Sequence, residues 1–81
     1  MELFVVLIED RHTDVQVEVF SGREDAIRYA QWIAVNWIRP GATITEQQVD
    51  GWEYYATYSS EDDSVRVERK VLNAALAEMS P

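Results

Sequence analysis

The one histidine, His12, stands in Glu9-Asp10-Arg11-His12-Thr13-Asp14, where carboxylates flank an imidazole. Such groups can hold a divalent metal or relay a proton. Their spacing matches no defined ligand motif, and a solvated turn has nothing to orient them, so no metal ligand is expected here. A second acidic cluster, Glu61-Asp62-Asp63, has the hardness a cation loop needs. It lacks the further oxygens at fixed spacing and the glycine that such a loop requires. Ser59, Ser60 and Ser64 have no histidine in their own segment to activate them, and there is no cysteine nucleophile. The three glycines build no phosphate-cradling loop. The expectation is a non-enzymatic chain with no catalytic residue, metal or cofactor.

Aromatic residues carry the other potential chemistry. Trp52, Tyr54, Tyr55 and Tyr58 could stack bases, but single-strand binders set such platforms in a basic groove. Between Arg39 and Arg66 there is no Lys or Arg, whereas Glu46, Asp50, Glu53, Glu61, Asp62 and Asp63 all fall there. The formal charge is −8. Phosphate backbones need clustered cations, so direct nucleic-acid binding is excluded. The acidity serves solubility or aims a surface at a basic partner.

The elements that must position these residues fit one domain over the 81 residues. Without cysteine no disulfide can staple it, which leaves packing or self-association. No segment approaches a membrane span, and Met1-Glu2 with the short run Leu3–Ile8 resembles no signal peptide; a cytoplasmic location is expected.

Leu3-Phe4-Val5-Val6-Leu7-Ile8 is apolar on both faces, the mark of an interior strand. Asp14–Phe20 alternates, with Val15, Val17 and Val19 on one face. Pairing Glu9 with Asp14 sets Ile8 against Val15, Val6 against Val17 and Phe4 against Val19, giving a hairpin over 1–20 with one apolar face. Ser21-x-x-Glu24 reads as a capping box for a helix from about Gly22 to Ile38 within segment 21–38. Ala26, Ile27, Ala30, Ile33, Ala34 and Trp37 form its apolar arc, leaving Tyr29 and Trp32 outward. Gly41–Asp50 is a polar connector with turn or short-strand character. A second hairpin follows over 51–70, with Trp52, Tyr54, Ala56 and Tyr58 facing the helix together with Val65 and Val67. A short helix over 71–79 carries Leu72, Ala75, Leu76 and Met79 at helical spacing. The expected fold is α+β, β-β-α-β-β-α, a four-stranded antiparallel sheet of order 2-1-3-4 with the main helix on one face.

Phe4-Val-Val-Leu-Ile-Glu-Asp-Arg-His-Thr-Asp14, the Ser21-x-x-Glu-Asp-Ala-Ile27 start and the run Gly51–Val67 resemble a group of small uncharacterised acidic proteins of actinobacteria. The resemblance spares Gly41–Asp50 and the C-terminal helix. It implies a bacterial cytosolic setting, or a phage of such bacteria, and no site residue.

The leading expectation is a protein-interaction module, binding another protein or itself as a homodimer. The back of the first hairpin (Leu3, Val5, Leu7, Phe20), with Tyr55 and with Leu72 and Leu76 contributing, is the expected dimer interface. Tyr29, Trp32, Glu61, Asp62 and Asp63 are the candidates for a further partner. The alternative is an acidic inhibitor, of phage or mobile-element type, that blocks a basic channel as a nucleic-acid mimic.

Overall fold

An eight-residue strand that is apolar on both faces needs a neighbour on each side and cover on at least one face, and this requirement organises the chain. The computed structural model describes residues 1–71. Its elements are β1 (Glu2–Glu9), β2 (Gln16–Phe20), α1 (Arg23–Trp37), β3 (Thr45–Glu46), β4 (Tyr54–Thr57) and β5 (Ser64–Val71). The fold is α+β: one antiparallel five-stranded sheet of order β2-β1-β5-β4-β3, with α1 packed against it. No described helix is long and apolar enough to cross a membrane. The expected terminal helix, with Leu72 and Leu76, lies outside the described residues.

The sheet order corrects the expected 2-1-3-4. The strand beside β1 is the return strand of the second hairpin, and the aromatic strand lies beyond it. Length is the reason. β5 matches β1 residue for residue, from Glu2↔Val71 to Glu9↔Ser64, whereas β4 has only four residues to offer. The two longest strands thus saturate each other's hydrogen bonds at the centre. The connector supplies the fifth strand, β3, which pairs Thr45 with Thr57 at the sheet's far edge.

The first hairpin is shifted by one residue from its expected register. Phe4 opposes Phe20, Val5 opposes Val19, Leu7 opposes Val17 and Ile8 opposes Gln16. A shift of one exchanges the faces of a strand. Phe20 therefore lies on the helix side, against Tyr29 with ring centroids 5.3 Å apart. It does not join the back face. Val17 and Val19 go to the back instead. Asp10 opens a tight turn, its carbonyl accepting the Thr13 amide at 3.1 Å, while its side chain is drawn inward. α1 lies chiefly over β1 and β5, and of β2 only Phe20 is half-buried.

Phe4, Val6, Ile8, Ala26, Ala30, Ile33, Ala34, Ala56, Tyr58, Val65 and Val67 form the core, with the helix arc as expected from its periodicity. Small alanines let α1 approach the sheet closely, and the larger Ile33, Trp37 and Tyr58 fill the gaps. The helix begins one residue later than the Ser21 capping box implies. Gly22 is the N-cap and no side chain caps it, while Glu24 and Asp25 supply favourable charge in the first turn. Tyr29 is half-buried rather than outward, because Phe20 is beneath it. Trp52 also departs from expectation. Gly51 takes a positive φ of 91° just before it, β4 starts only at Tyr54, and Trp52 lies on the back face with Tyr55 and Arg66.

Candidate functional site

Two regions hold the residues singled out by type. The first is a polar knot at one end of the sheet, where the turn after β1, the loop after α1 and the turn between β4 and β5 meet. The backbone of that last turn places Asp62 at φ 65° and returns Asp63 to the interior, where it is fully buried. Asp63 Oδ1 accepts the Arg11 amide at 2.8 Å and Oδ2 accepts the Ser59 hydroxyl at 2.9 Å. Burial pushes its carboxyl up, but these donors with nearby Arg39 outweigh it and hold the carboxyl below its ordinary range.

Asp10 is buried beside it. Its Oδ1 accepts the His12 amide at 2.9 Å and Arg39 at 2.9 Å; its Oδ2 accepts Arg39 at 3.1 Å and the Tyr58 hydroxyl at 2.9 Å. Burial, then the bond to Asp10, pushes the Tyr58 phenol well up, so it remains a donor. Arg39 also brings Nε to 4.0 Å from Asp63 Oδ2. One guanidinium thereby neutralises two buried carboxylates from distant parts of the chain.

Asp10, His12 and Asp63 offer ligand atoms within 4.8 Å of one another, a convergence hidden by sequence distance. The donor set is that of an ion-pair clamp. Each Asp10 oxygen already accepts two hydrogen bonds, and a cation would have to displace Arg39. Nor is the Ser59 hydroxyl a free nucleophile. It donates to Asp63 and accepts the amides of Glu61 and Asp63. His12 Nε2 faces Glu61 Oε2 at 3.3 Å in solvent. The open cleft over this knot, about 330 Å³, is lined by His12, Arg39, Ser59 and Glu61 among others, and no unpartnered acid–base pair points into it.

Of the acidic candidates, Glu61 and Asp62 are exposed and Asp63 is not, so Asp63 offers nothing to a partner. Sequence proximity within Glu61-Asp62-Asp63 gave no sign of that division. A signal was present in Ser59-x-x-x-Asp63, where a serine ahead of the turn can bond an aspartate after it.

The second region is the back of the sheet. Leu3, Val5 and Leu7 of β1 lie there half-buried. Beside them Val17 and Val19 of β2 are 52% and 54% exposed, and Val15, just ahead of the strand, is 62% exposed. On the β5 side the same face turns charged. Arg66 bonds Glu68 at 2.7 Å, pairs with Glu9 and stacks on Trp52 at 4.7 Å, while Lys70 pairs with Glu68 at 3.2 Å. Arg66, then Lys70, hold the Glu68 carboxyl below its usual range against the opposing effect of burial. Tyr55 packs against Trp52, ring centroids 5.2 Å apart. The expected interface residues Leu3, Val5, Leu7 and Tyr55 thus share one face. Phe20 does not belong to it, and Val17 and Val19, expected inside, do.

Tyr29 and Trp32 stack at 6.1 Å on the helix, with Trp32 55% exposed. No protein-family model, curated protein or solved structure matches this chain.

Proposed function

We propose that this protein is a non-enzymatic module that binds another polypeptide through the β2 edge and the adjoining apolar half of the back face. One observation carries the reading: Val15, Val17 and Val19 stand more than half exposed beside Leu3, Val5 and Leu7. Single exposed apolar residues are ordinary, whereas a contiguous apolar strip with a charged border has the composition of an interface. The polar knot supports the non-enzymatic part, since both its buried carboxylates and the Ser59 hydroxyl are engaged within it. The resemblance to small actinobacterial proteins supports a bacterial cytoplasmic setting.

The inhibitor alternative has less support. Asp63 is interior, Glu53 pairs with Arg23, Glu46 accepts the Tyr54 hydroxyl and Glu61 faces His12, so the acids of the cation-free window do not form one free array.

Panning a library of short extended peptides against the immobilised protein tests the proposal. Selected peptides should alternate β-branched and polar residues, as strand addition demands. They should lose binding to Val17→Lys and keep it to Trp32→Ala. No selected peptide, or undiminished binding to a folded Val17→Lys protein, overturns it.

A further inference from the structure

The two edges of the sheet are not alike. β3 is a two-residue edge, too short to template another strand. β2 is five residues long, contains no Lys, Pro or bulge, and ends the sheet with no strand beside it among the described residues. Exposed edges are commonly blunted by short length, lysine, proline or bulges. β3 is protected by its shortness, whereas on β2 the one such device is the charge of Glu18.

Resting on the polypeptide-binding reading, we infer that the partner is a second copy of this chain, paired β2 to β2 in antiparallel fashion about a two-fold axis at Val17. The register follows from the residues. Centring the axis on Val17 sets Val17 against Val17, Val15 against Val19, and Gln16 against Glu18 of the other copy. The back face then carries six contiguous valines, three from each copy. On the other face an amide lies opposite a carboxylate. Centring it on Glu18 instead would oppose two carboxylates directly, an unfavourable cross-strand pair.

Charge points to the same partner. A chain of net charge −8 repels its own kind, yet Val15–Phe20 contains one charged residue, Glu18, and the Val17-centred register gives it an amide. At this edge two copies therefore meet with little direct repulsion. The symmetry makes the contact self-complementary and closed, so the product is a ten-stranded dimeric sheet rather than a fibre.

The chain has no native cysteine, so a single introduced thiol reports alone. Val17→Cys should cross-link to its own copy under mild oxidation, because the axis brings the two positions face to face. Val19→Cys should not, because its partner is Val15. Sedimentation equilibrium should show a dimer that Val17→Lys dissociates, with circular dichroism confirming that the variant remains folded. Gln16→Lys places a cation opposite Glu18 of the other copy at two symmetric sites and should tighten the dimer about 2- to 10-fold. Efficient Val19→Cys cross-linking without Val17→Cys cross-linking, or no tightening by Gln16→Lys, overturns the register. A monomer throughout, in a protein whose β2 edge still captures peptides, overturns the second copy as partner and leaves the peptide-binding reading standing. A monomer that captures none overturns both.

Discussion

The hydroxyl of Tyr58 donates a 2.9 Å hydrogen bond to Oδ2 of buried Asp10, 48 residues away in sequence. The bond joins the end of the aromatic strand to the turn that leaves β1. With Arg39 it holds a carboxylate where an isolated charge could not remain.

Tyr58→Phe removes that donor and should destabilise the fold by about 1–3 kcal/mol. Arg39→Met strips the counter-charge from Asp10 and Asp63 and should cost more, on the order of 2–4 kcal/mol, since breaking a buried pair leaves charge uncompensated, although Arg39 is partly solvated. Urea melts of both variants check the order. A smaller effect for Arg39→Met would remove the clamp from the account of stability.

Acid should unfold the protein through Asp63 and Glu68. Both carboxyls sit below their ordinary range in the fold. Carboxyls with depressed folded-state pKa stabilise fully above their unfolded pKa values, about 4, and the contribution fades as pH falls through the lower folded values. Stability should therefore be flat from pH 7 to about 5 with respect to these groups and decline below about pH 4. Asp63→Asn, less stable at neutral pH, should show a shallower acid decline in melts taken from pH 7 to 2.

The shifted hairpin register makes Phe20 a core neighbour and leaves Trp32 at the surface. Phe20→Ala should cost about 2–4 kcal/mol through lost burial and a residual cavity, and Trp32→Ala less than about 1 kcal/mol. Thermal melts at one protein concentration separate them. Equal costs would contradict the placement of Phe20 under Tyr29.

Gly51 holds a φ of 91° in open space. Gly51→Ala meets no clash with neighbours, so any loss comes from backbone strain, about 1–2 kcal/mol. A denaturant melt measures it. The same strain should loosen Trp52 from Arg66, read as a red-shifted indole emission.

Much of this architecture was legible. The two-faced apolar run of β1, the 3.6-residue periodicity of α1 and the alternation of Tyr54, Ala56 and Tyr58 each specified an element and its buried face. The errors arose where a local pattern met a distant partner. Alternating Val15, Val17 and Val19 looked like a core row, but β2 pairs with β1 one residue out of the expected register, which exchanges the strand's faces. Sheet order depended on matching strand lengths, which periodicity does not encode. Asp63 looked like one of three surface acids because the Arg11 amide that it accepts and the nearby Arg39 guanidinium are remote in sequence. Apart from the local Ser59–Asp63 and His12–Asp10 bonds, the polar knot is built from such long-range ties, which no window of the chain displays.

The central pairing of β1 with β5 also sets an order of events. β1 precedes the other described strands and is the most apolar, yet one of its neighbours is the last described strand, with Glu2 opposite Val71. The β1–β2 hairpin and α1 can together cover Phe4, Val6 and Ile8, but one edge of β1 stays unpaired until β5 arrives to close the middle of the sheet. Such distant pairing must overcome loop-closure entropy before it is rewarded. Until then β1 presents one open apolar edge. A folding factor that shields open strand edges would find its target at β1, and release would wait on the arrival of Val65 and Val67.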